Sequence, residues 1–391
     1  MKTDSKKICI LGNAQSIHVQ KWIQYFINNY HRVYLLSPLW DNCQEGINFY
    51  YLKPSPVRWR YLQVLTEEFL YPYQAMRAIR KINPHIVHAF YAEFHGWLGA
   101  LSQFHPFIIS VFGGDVCIDP QKSRWTKAKV SFALQHADVI TTQTKSMMQF
   151  LTQEFLVPPE KIRQIPWGVD LNVFYKGYDN ECRKLRKELG ILNDAPIILS
   201  PRQMNPLYQI DKIINAMPGV IKKFPQTTFV FISSLDPADR RQYQNQIKNL
   251  AQNLHVIKNT RFLTKPLTSR DMAILLNMSH VAISIPKIDQ FGLTVIEAMA
   301  CGCIPLVNEL ECYAEYLTNR RNAFIIHESA PSRISKILID CIENGETRNK
   351  FYNINRNIVS SSEDWSQNAS KMEDLYNYLV EKFNTRNKIS S

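Results

Sequence analysis

Asp289 and Glu297 have seven residues between them in PKIDQFGLTVIEAMACGCIPLV (286–307), Phe291-Gly292 among these, and a helical pattern starts near Leu293. Glycine there lets the main chain come close to a ligand. A helix start offers unpaired N–H groups and the positive end of a dipole, which suits a diphosphate. Glu297, about one turn into that helix, can accept two hydrogen bonds from vicinal hydroxyls, and Asp289 on the preceding loop is placed to hold a second sugar. On spacing alone the same residues also fit a loop aspartate and a helix glutamate that share no ligand.

Other chemically capable residues are less organised. Cys301 and Cys303 form a C-x-C, but their apolar surroundings suit buried small residues better than a metal. The eight cysteines (9, 43, 117, 182, 301, 303, 312 and 341) have no C-x-x-C pair, and reduced thiols are the expectation. His85, His88, His95 and His105 lack a partner set for zinc, and His88 reads as a packed histidine. The loop GNAQS (12–16) has one glycine and no G-x-G-x-x-G. His18 and Lys21 on the following helix fit a solvated face better than a site.

Positioning these residues requires α/β architecture. KICILGN (7–13), RVYLLS (32–37), HIVHAF (85–90), FIISVFGGD (107–115) and ADVITTQT (137–144) read as strands, with helical patterns such as 17–30 between them. The rhythm lapses over the polar stretch near 167–196. It restarts with strands at 195–203, 227–234, 261–266, 280–286 and 303–308. Two β-α-β series predict two doubly wound parallel-sheet domains facing across a cleft, with ligands at the carboxyl ends of the strands. SEDWSQNASKMEDLYNYLVEKF (362–383) is an amphipathic helix pattern outside the second series. The expected boundaries are a first domain over 1–170 on the acceptor side, a linker over 171–195, and a donor-side domain over 196–360. A terminal helix over 361–391 is expected to return toward the first domain.

Composition limits the partners. At 391 residues, 45% hydrophobic and 20% charged, the chain can build large cores. The net charge of +12 is spread evenly: residues 1–174 hold 18 Lys and Arg against 12 Asp and Glu, and the rest 28 against 22. A nucleic-acid binder would concentrate that charge on one element, so none is expected. The excess suits an anionic small ligand or an anionic membrane surface. No apolar run is long enough to span a membrane and none reads as a signal peptide, so a cytoplasmic protein is expected, with peripheral attachment to the inner membrane face left open. VRWRYLQVLTEEFLYPY (57–73) and QKSRWTKAKVSFAL (121–134) interleave cations with aromatics. They suit a membrane face, an anionic glycan or lipid diphosphate, or ordinary surface helices with snorkelling cations.

The segment 286–307 resembles the acidic-x7-Glu signature of retaining glycosyltransferases of family 4. Matching segments follow in the family's order: ILGNAQSIHVQKWIQYF, PHIVHAFYAEFHGWLGAL, VFGGDV, ADVITTQTKSMMQFL, KIRQIPWGVDLNVF and ILSPRQMNPLYQIDKIINA. The resemblance implies two Rossmann-like domains (the GT-B architecture) with the nucleotide-sugar donor mainly on the second. It implies ribose hydroxyls on Glu297, a donor-sugar hydroxyl on Asp289, and N–H groups of Gly292 and Leu293, beside Phe291, facing the diphosphate or the sugar. Arg202 would stabilise the charge that develops as the sugar–phosphate bond breaks, and Thr264, in the loop RFLTKPL, would meet the donor. The reaction implied is transfer of a hexose-type sugar, with retention, from a nucleotide diphosphate to a glycan or lipid-linked acceptor in cell-envelope polysaccharide or glycoconjugate synthesis. No cofactor and no metal are expected, since no Asp-x-Asp occurs and Arg202 with the helix N–H groups would take the ion's place.

Three departures qualify the likeness. The family's first acid is usually glutamate, whereas Asp289 is one methylene shorter. A lysine commonly five residues after the arginine is Leu207 here, followed by Tyr208, unless Lys265 or Lys287 substitutes from a neighbouring loop. A first-domain histidine is replaced by Phe112, while Asp115 keeps an acidic position as either a sugar- or acceptor-facing catalytic carboxylate or a helix N-cap. These departures keep a second reading in play, a catalytically degenerate partner of another glycosyltransferase.

Overall fold

A computed structural model describes residues 5–39, 45–57, 59–233 and 238–390. Cys43, Arg58 and Ser234, named above within motifs, lie outside the described residues. The chain divides into two compact units, Met1–Pro166 with Ala369–Ser391, and Trp167–Asn368.

The first unit is built on seven strands, β1 (Lys7–Leu11), β2 (Arg32–Ser37), β3 (Ile47–Tyr51), β4 (Ile86–Phe90), β5 (Phe107–Ser110), β6 (Val139–Thr142) and β7 (Ile162–Gln164). They pair in parallel in the order β3-β2-β1-β4-β5-β6-β7, and the order reverses between β1 and β4. The central strands are buried on both faces, as helix-covered parallel strands must be, which explains their continuous apolar runs. Two polar links tie the terminal helix, Trp365–Ser390, into this unit. His31 Nε2 meets Glu373 Oε1 at 2.7 Å, and His88 lies between Tyr376 Oη and Ser110 Oγ. His88 is therefore the packed histidine its strand position implied.

The second unit carries β8 (Ile197–Gln203), β9 (Thr228–Ile232), β10 (Thr260–Leu263), β11 (Val281–Ser284), β12 (Ile304–Asn308) and β13 (Phe324–Ile326), all parallel, in the order β10-β9-β8-β11-β12-β13. Its switch point lies between β8 and β11. The stretch 171–195 differs from its expectation as a linker. It contains the helix Asp179–Glu188 and belongs to the second unit, where Arg186 is buried and donates to the carbonyls of Leu192, Ala195 and Met278. A charged sequence conceals this packing because one guanidinium can satisfy several carbonyls at once.

Three strands have no counterpart in the sequence reading: β3, β7 and β13. Each lies at a sheet edge, and two have only three residues, too few to show a period. The segment 107–115 is a strand only as far as Ser110, because Gly113 (φ 96°) turns the chain into the short helix Gly114–Cys117.

Candidate active site

The carboxyl ends of β8 and β11 bring Arg202 and Asp289 into direct contact. The guanidinium Nη2 donates to Asp289 Oδ2, and Nε donates to Ser284 Oγ at 3.0 Å. The Tyr208 ring lies 5.0 Å from the guanidinium carbon. Tyr313, itself buried, donates its hydroxyl to the same Asp289 oxygen at 2.9 Å, and the Gln290 N–H donates to Oδ1. Burial opposes the charge on Arg202, but the Asp289 carboxylate, with Tyr313 and Tyr208, outweighs it and raises the arginine's pKa. Burial and the same carboxylate push the Tyr313 phenol well up, so it remains a hydrogen-bond donor.

Directly after this loop, Gly292 caps the helix Leu293–Ala300 with φ +70°. A Cβ built there would lie 2.5 Å from Tyr313 Cε1 and 2.9 Å from Tyr316 Oη, so both the backbone angle and the space demand glycine. The Tyr316 hydroxyl donates to the Phe291 carbonyl, and Phe291 is buried beneath the turn. No side chain caps this helix, and of its first-turn N–H groups that of Val295 donates to the Gly292 carbonyl at 2.8 Å, which leaves those of Leu293 and Thr294 at its open start. The buried hydroxyl of Thr294, in that first turn, has no hydrogen-bond partner among the described residues. Leu293 and Glu297 are partly exposed on the same helix, one turn apart.

Arg202, Asp289, Phe291, Gly292 and Leu293 thus converge where the strand order reverses, with Glu297 one turn further on. Thr264 is exposed just past β10, the edge strand, two strands from β8. For Asp115 the sequence left open a substrate-facing carboxylate and a helix N-cap, and the structure gives it main-chain partners. Its side chain is fully buried in the first unit and accepts N–H bonds from Ala92 (2.6 Å), Phe112 (3.0 Å) and Gly113 (2.8 Å). Burial raises its pKa to about 6 against the pull of those N–H groups. Its carboxylate thus ties together the main chain at Ala92 and at Phe112–Gly113, and its side chain is fully buried. Cys301 and Cys303 are buried, and burial pushes both thiols up. Among the described residues no cluster of three or more His, Cys, Asp or Glu could hold a metal ion.

Ser284, Tyr313 and Thr294 are absent from the sequence reading. Ser284 could have been flagged as the last residue of a strand beside the switch point. Tyr313 lies 24 residues beyond Asp289 with no motif around it.

The second unit matches the family model described as "Glycosyl transferases group 1" over residues 182–358, and the first matches "Glycosyl transferase 4-like" over 7–144. The chain belongs to the group 1 glycosyl transferases. Within this family it is similar to D-inositol 3-phosphate glycosyltransferase of Corynebacterium glutamicum, 22% identical over 250 residues, or 63% of this chain and 59% of that protein. It is also similar to spore coat protein SA of Bacillus subtilis, 22% identical over 293 residues, or 72% and 75%. The chain thus spans about three-fifths of the corynebacterial relative. In fold it resembles HepE of Anabaena, solved in complex with UDP-glucose, with TM-score 0.81 and 16% identity over 96% of this chain and 100% of that one. The group 1 glycosyl transferase fold here is GT-B, with one Rossmann-like sheet in each unit.

Proposed function

We propose that this chain transfers a sugar, with retention at the anomeric carbon, from a nucleotide-diphosphate sugar to a glycan or lipid-linked acceptor in the synthesis of cell-envelope polysaccharide or glycoconjugates. The observation that carries the reading is the held guanidinium of Arg202 at the switch point beside the open helix start at Gly292. A strand-end arginine fixed by Ser284, Asp289 and Tyr208 is a preorganised cation. The adjoining N–H groups of Leu293 and Thr294 add donors at the positive end of a helix dipole. Together they suit the charge that gathers on a leaving diphosphate, and one such contact is worth about 10²–10³ in rate.

In the reaction the bond between the anomeric carbon and the diphosphate oxygen breaks, and the acceptor oxygen bonds to the same carbon on the same face. The leaving phosphate oxygen takes the acceptor's proton. Arg202 and the helix start hold the departing phosphates, Asp289 holds a sugar hydroxyl, and Glu297 holds the ribose. No resident metal or cofactor is part of this reading, because the arginine and helix N–H groups do the ion's work. Transfer is expected to survive exhaustive chelation.

The departure at Leu207 falls next to another lysine in the fold. The Lys287 N–H donates to the Leu207 carbonyl at 2.8 Å, so an exposed lysine adjoins the loop that lacks the family's own.

An anionic membrane surface is proposed as a further partner of the first unit. The helix Arg60–Ile82 exposes Leu62, Phe69 and Tyr73 along one stripe, ending in exposed Arg77 and Arg80. Trp59 precedes it, and exposed Trp125, Arg124 and Lys127 open the helix Arg124–His136. Aromatic side chains with cations on one helix face suit an acidic bilayer. No helix among the described residues is long and apolar enough to cross a membrane. Flotation with anionic vesicles but not neutral ones is the expected result, and absence from both would refute it.

The deciding experiment for the enzyme is a screen of UDP-, GDP- and ADP-sugars for binding and hydrolysis, repeated with Glu297→Ala. Binding that the variant loses supports the reading. Undiminished binding in the variant would remove Glu297 from the site, and no binding of any nucleotide sugar would remove the function.

A further inference from the structure

Asp289 is held from a part of the second unit that its own loop does not supply. The short turn Glu311–Tyr313 follows β12, and from it the Tyr313 phenol reaches back to donate to Asp289 Oδ2 at 2.9 Å. Three residues further on, the Tyr316 hydroxyl donates to the Phe291 carbonyl. Both tyrosines are buried, and their rings meet edge to face with centroids 6.2 Å apart. The pair grips the loop at two points, once on the carboxylate and once on the main chain beside Gly292. The grip is tight, since the Tyr313 ring fills the space that a Cβ on Gly292 would need.

Tyr313 and Arg202 hold the same carboxylate oxygen on different terms. The guanidinium is a cation, for which an incoming diphosphate competes. The phenol is neutral, and burial with the Asp289 charge pushes its pKa well up, so it keeps its proton and goes on donating. A bond from a neutral hydroxyl to a carboxylate is charge-assisted and among the stronger kinds in a protein. It therefore still ties Oδ2 once the arginine has turned to the phosphates.

The remaining capacity of the carboxylate is small. Its two oxygens offer about four acceptor positions. Arg202 and Tyr313 use Oδ2, and the Gln290 N–H uses Oδ1 at 2.9 Å. One position on Oδ1 is left by these three donors, and Asp289 keeps 16% of its side chain exposed, which gives access to it. A group held this way offers one acceptor in one direction. Misplacement of such a group by about 1 Å costs on the order of 10²-fold in rate.

We infer that Tyr313 is a positioning residue of the donor site: its phenol fixes Asp289 so that Oδ1 faces a single hydroxyl of the donor sugar, and keeps it fixed when the diphosphate draws on Arg202. Tyr313 has this role only within the transferase reading, in which Asp289 meets the sugar.

The test is Tyr313→Phe in the full chain, which removes the hydroxyl and keeps the ring beside Gly292. The probes are UDP-glucose, UDP-galactose, UDP-N-acetylglucosamine, GDP-mannose and ADP-glucose, with UDP, GDP and ADP alone. For a sugar nucleotide that the wild-type chain hydrolyses, kcat is expected to fall about tenfold, the loss of one charge-assisted hydrogen bond. Affinity for the matching free diphosphate by calorimetry should stay within about threefold, because Arg202 and the helix start are untouched. A merely structural loosening would lower both together. In an Asp289→Ala background, where the group that Tyr313 acts through is gone, the same substitution should change kcat/KM by less than about twofold. Tyr313→Met gives the same readouts should the phenylalanine variant fail to fold. Wild-type kcat in the variant, an equal loss of diphosphate affinity, or a full tenfold loss in the Asp289→Ala background would overturn the role of Tyr313 and leave the transferase reading standing. A wild-type chain that binds and hydrolyses none of the probes would refute that reading, and the role of Tyr313 with it.

Discussion

Asp289→Asn separates two roles that the site combines. In the unliganded structure the carboxylate neutralises Arg202, so a diphosphate must compete with it for the same guanidinium. The substitution removes a negative charge while Ser284 and the Tyr208 ring still hold the arginine. Taking about 6 Å between carboxylate and diphosphate and an effective dielectric constant of about 40, the repulsion removed is about 1.4 kcal/mol, or about tenfold in affinity. The free nucleoside diphosphate should therefore bind about tenfold more tightly, and the gain should shrink as salt rises. Sugar transfer should move the other way, because a charge-assisted bond to a donor hydroxyl is lost at a cost of about 1.5–3 kcal/mol, or about 10–100-fold in kcat/KM. The thermal midpoint should fall modestly, since Arg202 and Asp289 keep only 12% and 16% of their side chains exposed and the arginine loses its ion pair. Calorimetry with the diphosphate and steady-state kinetics with the full donor measure the two effects. Diphosphate affinity unchanged or weakened in a folded variant would refute the competition.

Three further outcomes are expected. Gly292→Ala should abolish donor binding, because its Cβ meets Tyr313 and Tyr316 and the residue must hold φ +70°; wild-type affinity by calorimetry would contradict the assigned turn. Leu207→Lys should tighten diphosphate binding and Lys287→Ala should loosen it, each by about three- to tenfold. No change in either would leave Arg202 as the sole cation of importance. His88 is neutral in the fold because burial lowers its pKa to about 3, so its stabilising effect is complete above the unfolded value near 6.5 and is lost as pH falls toward 3. Between pH 6.5 and 5 this should cost about 2 kcal/mol. The wild-type melting temperature should accordingly fall more steeply over that interval than that of His88→Gln, and parallel slopes would show that His88 is protonated without cost.

The central strands of both sheets were legible in the sequence because strands buried on both faces must be apolar throughout. The turn at Gly292 and the helix after it were legible because a left-handed turn into a helix draws on few residue types. Edge strands β3, β7 and β13 were not, since half-exposed or three-residue pairings leave no period. The helix within 171–195 was hidden by its own charge.

The sequence by itself determined two parallel sheets and the glycine turn between β11 and its helix. These follow from local periodicity and from residue types a few positions apart. Tertiary structure alone decided that Arg202 pairs with Asp289 across 87 residues, that Tyr313 completes that pair, and that Asp115 spends its carboxylate on main-chain N–H groups. Such outcomes depend on which strand ends become neighbours and on how much water is excluded between them. Both are properties of the folded sheet that no stretch of sequence contains.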